Sequence, residues 1–212
     1  MPVSQSQKLR RAAKKTARRQ VVVAEKRKAD VATLAGDESR QIMEAARAPI
    51  TTCLVGGTIF QEGIGWVILA RTLPSGTVGA SFFLVDAWCL GIKDAFFRTL
   101  PRGAFEENLE RYQPQQSMEN APSAYALRLL QEAAAYASAF GLAPSDGYAK
   151  AALIFGDIAP SADTFVFGQN GKPMFVSGPN DSPARIRRIM AALAESAGAD
   201  GYEYVLGVDG MD

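Results

Sequence analysis

The chain has 212 residues, 48% of them apolar and 21% charged, which is long enough and greasy enough to bury a core. Its formal net charge of +1 averages two unlike parts: residues 1–28 hold ten Lys or Arg against one acid, Glu25, a net +9, while the other thirteen bases and twenty-one acids leave −8. With no histidine the chain has no Ser-His-Asp or Cys-His machinery and no His-ligated zinc, and two cysteines, Cys53 and Cys89, cannot build an all-thiolate site.

The basic part is Lys8, Arg10, Arg11, Lys14, Lys15, Arg18, Arg19, Lys26, Arg27 and Lys28. The pairs at 10/11, 14/15 and 18/19 repeat every four residues, so a helix would carry them on one stripe. Like charges at that spacing repel, so residues 1–36 read as a helical or disordered arm that a polyanion would order. These ten residues are the candidate nucleic-acid contacts, with RNA expected ahead of DNA. An acidic protein is the alternative partner.

Residues 37–47 begin Asp-Glu-Ser ahead of a short helical pattern that stops before Pro49, leading into a single domain over 37–212. Thr51 to Val55 reads as a strand broken at Gly56-Gly57, and the glycine-rich stretch that follows matches no phosphate-loop spacing. Trp66 to Ala70 and Val78 to Val85 flank Pro74-Ser75-Gly76, which predicts a hairpin whose nearly continuous apolar arms are covered on both faces. Beyond it, Asp86, Lys93 and Asp94 interrupt an apolar run that could continue as a strand or turn into a helix near Gly91.

Residues 103–112 read as a short amphipathic helix, and residues 113–123 as a polar connector. The strongest helical pattern runs from Ser123, as a possible cap, to Gly141 as terminator, with Tyr125, Leu129, Leu130, Ala133, Tyr136 and Phe140 as its inner stripe. Ser145 to Phe155 reads as another helix. Asn170-Gly171 predicts a second hairpin between Thr164–Phe167 and Met174–Val176. A helix over Ala184 to Ala197 follows, capped by Asp181 or Ser182 with Pro183 at its first turn, and Tyr202 to Leu206 reads as a last strand. The expected fold is therefore α+β: a mixed or antiparallel sheet built from two hairpins, covered by alanine-rich helices, with a basic N-terminal arm.

Without histidine, the chemistry left to the body is carboxylate chemistry. Asp86 and Asp94 are the catalytic candidates of a Mg²⁺- or Mn²⁺-dependent phosphodiesterase reading, ahead of Glu62 and Asp157. Fully extended, eight residues would separate the two by about 26 Å, so a bend near Gly91 is required. Ser182, Arg185 and Arg188 are a candidate phosphate site at a helix start. No resident metal site or cofactor is expected. No apolar run reaches the roughly 20 residues that span a bilayer, and the expectation is a soluble cytoplasmic protein that accompanies nucleic acid and is not itself an enzyme.

Overall fold

The computed structural model describes residues 36–112 and 117–206. The chain divides into two compact units, Met1–Gln41 and Ile42–Asp212. In the first, Arg40 pairs with Asp37 at 2.9 Å on the exposed surface of a helix. Residues 36–45 are helical (α1).

The second unit is mixed α and β. A five-stranded antiparallel sheet has the order β4-β3-β2-β1-β5, from β1 (Ile50–Gly56), β2 (Ile64–Thr72), β3 (Val78–Asp86), β4 (Gly91–Leu100) and β5 (Met118–Asn120). The expected hairpin is β2–β3, in register from Ile64 opposite Asp86 to Thr72 opposite Val78. Strand alternation sends Val67, Leu69, Phe83 and Val85 to one face, against Ile42, Ala45 and the helix α4 (Ser123–Ala139). Ile68, Ala70, Ala80 and Phe82 go to the other, where Phe105 and Leu109 of α3 (Arg102–Tyr112) pack. Both arms are buried on both faces, which is why they are apolar at nearly every position.

The ambiguous run after Asp86 resolves as a turn at residues 87–90 followed by strand β4. Gly91 permits this. Its φ is +64°, and a Cβ there would stand 2.4 Å from the Ala133 carbonyl of α4 and 2.8 Å from Ala137 Cβ. A side chain would meet strain and collision together, so Gly91→Ala should cost about 3 kcal/mol. A urea-unfolding midpoint unchanged in that variant would contradict the packing of β4 on α4.

Three local expectations change. The polar connector contains β5, which adds to β1 through Leu54 opposite Asn120 and Gly56 opposite Met118. The expected helix from Ser145 shortens to α5 (Tyr148–Ala151), tightening at once into a 3-10 turn, Ala152–Phe155. Sheet side chains take its carbonyls: Ser81 Oγ donates to Ala151 O at 2.8 Å, and Arg71 Nε to Ile154 O at 2.9 Å.

The third change concerns the second hairpin. Asn170 (φ 53°) and Gly171 (φ 78°) form the tight turn, closed by reciprocal bonds between Gln169 and Lys172. The flanking segments do not pair further. The N–H groups of Gly168 and Met174 go instead to the carbonyls of Ala87 and Trp88. Phe165 and Phe167 turn into an aromatic cluster, with Phe165 on Phe60 and Tyr125 and Phe167 stacked on Tyr136 at 5.3 Å. Met174–Val176 (β6) pairs in parallel with the last strand, Glu203–Val205 (β7). Between them α6 (Pro183–Ala197) packs Ile189 and Leu193 against Phe175, Leu142 and Cys89 in a separate apolar cluster.

Candidate functional site

Asp86 ends β3 and is 6% exposed. Its Oδ1 accepts the backbone N–H groups of Trp88 at 3.1 Å and Cys89 at 2.9 Å, so the carboxylate closes the β3–β4 turn as an Asx cap. Burial pushes its pKa up, and the turn N–H groups and the Lys93 charge oppose that shift without reversing it. Around it lie Cys89, whose buried thiol is pushed up to about 12, and Tyr136, whose phenol burial likewise raises to about 12. Cys53 is raised by burial to about 11, so both free cysteines are protonated at neutral pH.

The bend near Gly91 exists, and it returns β4 beside β3 with Asp94 opposite Leu84. Asp94 is exposed, and its Oδ1 accepts the N–H of Ala95 at 2.8 Å. The two acids thus lie on neighbouring strands in different surroundings, Asp86 inside a turn and Asp94 at a surface. Among the described residues no three His, Cys, Asp or Glu side chains are grouped so as to hold a metal ion. Glu62 ends the helical turn α2 (Ile59–Glu62) at the surface. Asp157 lies in a different groove, with Met43, Arg47 and Leu153.

At the start of α6, Ser182 Oγ accepts the N–H of Arg185 at 3.2 Å and Pro183 occupies the first turn, as the sequence predicts. Asp181 lies just ahead of that cap and already engages the Arg185 side chain. Its side chain is 6% exposed, its Oδ1 is 3.0 Å from Arg185 Nε, its Oδ2 accepts the Gly178 N–H at 2.8 Å, and Lys93 Nζ of β4 is 3.8 Å away. A resident carboxylate thus takes up the Arg185 side chain and ties α6 to β4.

Beyond that ion triad lies a groove of about 650 Å³ between β4, the loop 141–147 and α6. Its floor is apolar, from Leu90, Leu142 and Ile189; its rim carries Lys93, Asp94, Asp146, Arg185 and Arg188. Arg185, Arg188, Ile189 and Ala192 share this face because they follow one another at helical spacing. Three sequence-predicted residues from distant segments, Asp94, Arg185 and Arg188, therefore meet in one concavity. Ser182 stays at the helix cap, and Asp86 is inside the neighbouring turn. The ten basic residues of the arm, Lys8 to Lys28, lie outside the described residues.

Sequence reasoning singled out neither Arg71 nor Asp146 as a site residue, and it read Asp181 only as a cap of the α6 helix. Arg71 had a signal: it continues the inward alternation of Val67 and Leu69, so a β2 extending past Ala70 aims it at the core. Asp146 and Asp181 sit in loops, where no periodicity tells an inward side chain from an outward one. Comparison with protein-family models, with curated proteins and with solved structures returns no match to this chain.

Proposed function

We propose that the protein is a nucleic-acid-associated accessory protein, with RNA the favoured polymer, that grips the phosphate backbone through residues 1–28. The observation that carries this reading is the charge asymmetry: +9 within 28 residues, on a remainder of −8. A polyanion is repelled by an acidic body and attracted by a basic arm, and neutralising phosphates releases condensed counterions. Several of the body's cations are engaged internally, which supports the same division of labour. Arg71 is buried on backbone carbonyls, Lys93 and Arg185 face Asp181, Arg128 pairs with Glu132 at 2.6 Å and Arg102 with Glu106 at 3.0 Å. RNA is favoured because arginine-rich segments fold on binding to it.

The test is fluorescence anisotropy of the full chain with a single-stranded 20-mer RNA and its DNA equivalent, repeated from 50 to 200 mM salt. The logarithm of the affinity should fall linearly with the logarithm of salt, by about 0.7 per phosphate contacted. Replacing the ten arm cations by Gln should abolish binding at the higher salt. Salt-independent binding, or retention by the Gln-substituted chain, would sink the reading.

A further inference from the structure

The groove between β4 and α6 holds opposite charges that leave one another unsatisfied. Among the described residues Arg188 and Asp146 make no ion pair, and Asp94 bonds only to the adjacent N–H. Ser145 Oγ, also in the lining, is buried with no hydrogen-bond partner. The walls are already held in place, since the buried Asp181 carboxylate joins Lys93 of β4 to Arg185 of α6. A ligand would find the site formed and would not have to order it.

The charges select the ligand. A bare phosphate entering the groove meets two carboxylates, and a bare amine meets two arginines; either leaves like charges facing each other. The complement is a molecule with an anion at one end, hydrogen-bond donors at the other, and an apolar plate to lie on Leu90, Leu142 and Ile189. Guanidinium forks match phosphate oxygens, and Asp carboxylates accept from the amino groups of base edges. We propose that this groove binds one nucleotide unit whose base carries an amino group. Arg188, beside Arg185, takes the phosphate; Asp94 and Asp146 accept from the base. The choice of a nucleotide rests on the nucleic-acid reading above, in which the arm holds the backbone and the groove takes one unpaired nucleotide.

Isothermal titration calorimetry of the full chain with GMP, UMP and guanosine tests this. GMP should bind at least tenfold more tightly than UMP, which offers one ring N–H and no amino group, and than guanosine, which lacks the phosphate. Arg188→Ala should weaken GMP at least tenfold and leave guanosine unchanged. Asp94→Asn combined with Asp146→Asn should erase the preference for GMP over UMP. These side chains are at the surface, so unchanged circular dichroism and thermal midpoints are expected alongside. The Gln-substituted arm separates this inference from the previous one: it should lose RNA and keep GMP. A 20-mer of C and one of U then distinguish polymer from free nucleotide as the source, since only a polymer-derived nucleotide makes RNA affinity depend on Arg188. Absence of GMP binding at millimolar concentration overturns the groove assignment and leaves the arm reading standing. GMP affinity indifferent to Arg188→Ala overturns it as well.

Discussion

Replacing Arg71 by Met should lower the free energy of unfolding by about 3–4 kcal/mol, the largest loss expected from any single polar side chain described here. Arg71 is 7% exposed, and its guanidinium donates to three backbone carbonyls: Ala48 O at 2.6 Å, Ile154 O at 2.9 Å and Phe155 O at 3.2 Å. Ala48 closes the turn that leaves α1, and Ile154 and Phe155 end the 3-10 turn after α5. The cation therefore stands where the negative ends of two helical segments converge, and their carbonyls take the place of a carboxylate partner. Burial lowers its pKa but leaves it charged throughout the ordinary range. Methionine keeps much of the volume and strands carbonyls that water cannot reach. Arg71→Lys should recover no more than about half of the loss, because an ammonium on a flexible stem cannot span three acceptors as the planar fork does. Urea denaturation at pH 7 measures both, and in a domain of this size the methionine variant should melt roughly 6–15 °C lower. A loss below about 1 kcal/mol would mean the carbonyls find other donors.

The elements whose residues repeat a regular period were the ones readable in advance. β2, β3, α4 and α6 carry long apolar patterns bounded by Pro74-Ser75-Gly76, Gly141 and Ser182-Pro183, and each appears where its pattern lies. The departures occur where a tertiary partner competes for backbone hydrogen bonds. Asn170-Gly171 makes its turn, yet the Ala87 and Trp88 carbonyls capture the N–H groups that would have extended the hairpin. The Ser145–Phe155 helix tightens where Ser81 and Arg71 reach across from the sheet. β5 is three residues of Met-Glu-Asn with no strand signature, and it is a strand because β1 offers it an edge.

The site was legible in the same uneven way. Asp94 stood out as an acid in an apolar run, and Arg185 and Arg188 as basic residues one turn apart. Their meeting in one groove depends on α6 being laid beside β4 through Lys93, Asp181 and Arg185. Those contacts cross some ninety residues of chain, and no local pattern encodes them. Asp86 drew attention by its strand-end position, which suits a catalytic carboxylate or a cap equally. Only the positions of the Trp88 and Cys89 N–H groups reveal the cap.

That geometry makes Asp86 the second large and decisive prediction. Asp86→Ala leaves two turn N–H groups without their acceptor and should cost about 2–4 kcal/mol, whereas Asp86→Asn retains an oxygen for both and should remain within about 1 kcal/mol of the parent at pH 7. The pH dependence separates the carboxylate's charge from its shape. Because burial raises the folded-state pKa above the unfolded value of about 3.9, the folded chain holds the Asp86 proton more tightly than the unfolded chain does. Its contribution is therefore most favourable below the unfolded pKa and declines as pH rises through the folded one. Lys93, the one cation acting on it, reduces that decline, and Cys89 and Tyr136 stay neutral across the same range. Urea-unfolding free energies of parent and Asp86→Asn, taken from pH 3.5 to 8, should show their difference moving in favour of the asparagine variant as pH rises. A difference that moves the other way would mean that the turn N–H groups and Lys93 outweigh desolvation and hold the carboxylate ionised. In that case Asp86 would resemble an ordinary ion-paired acid whose stabilisation is lost on acidification.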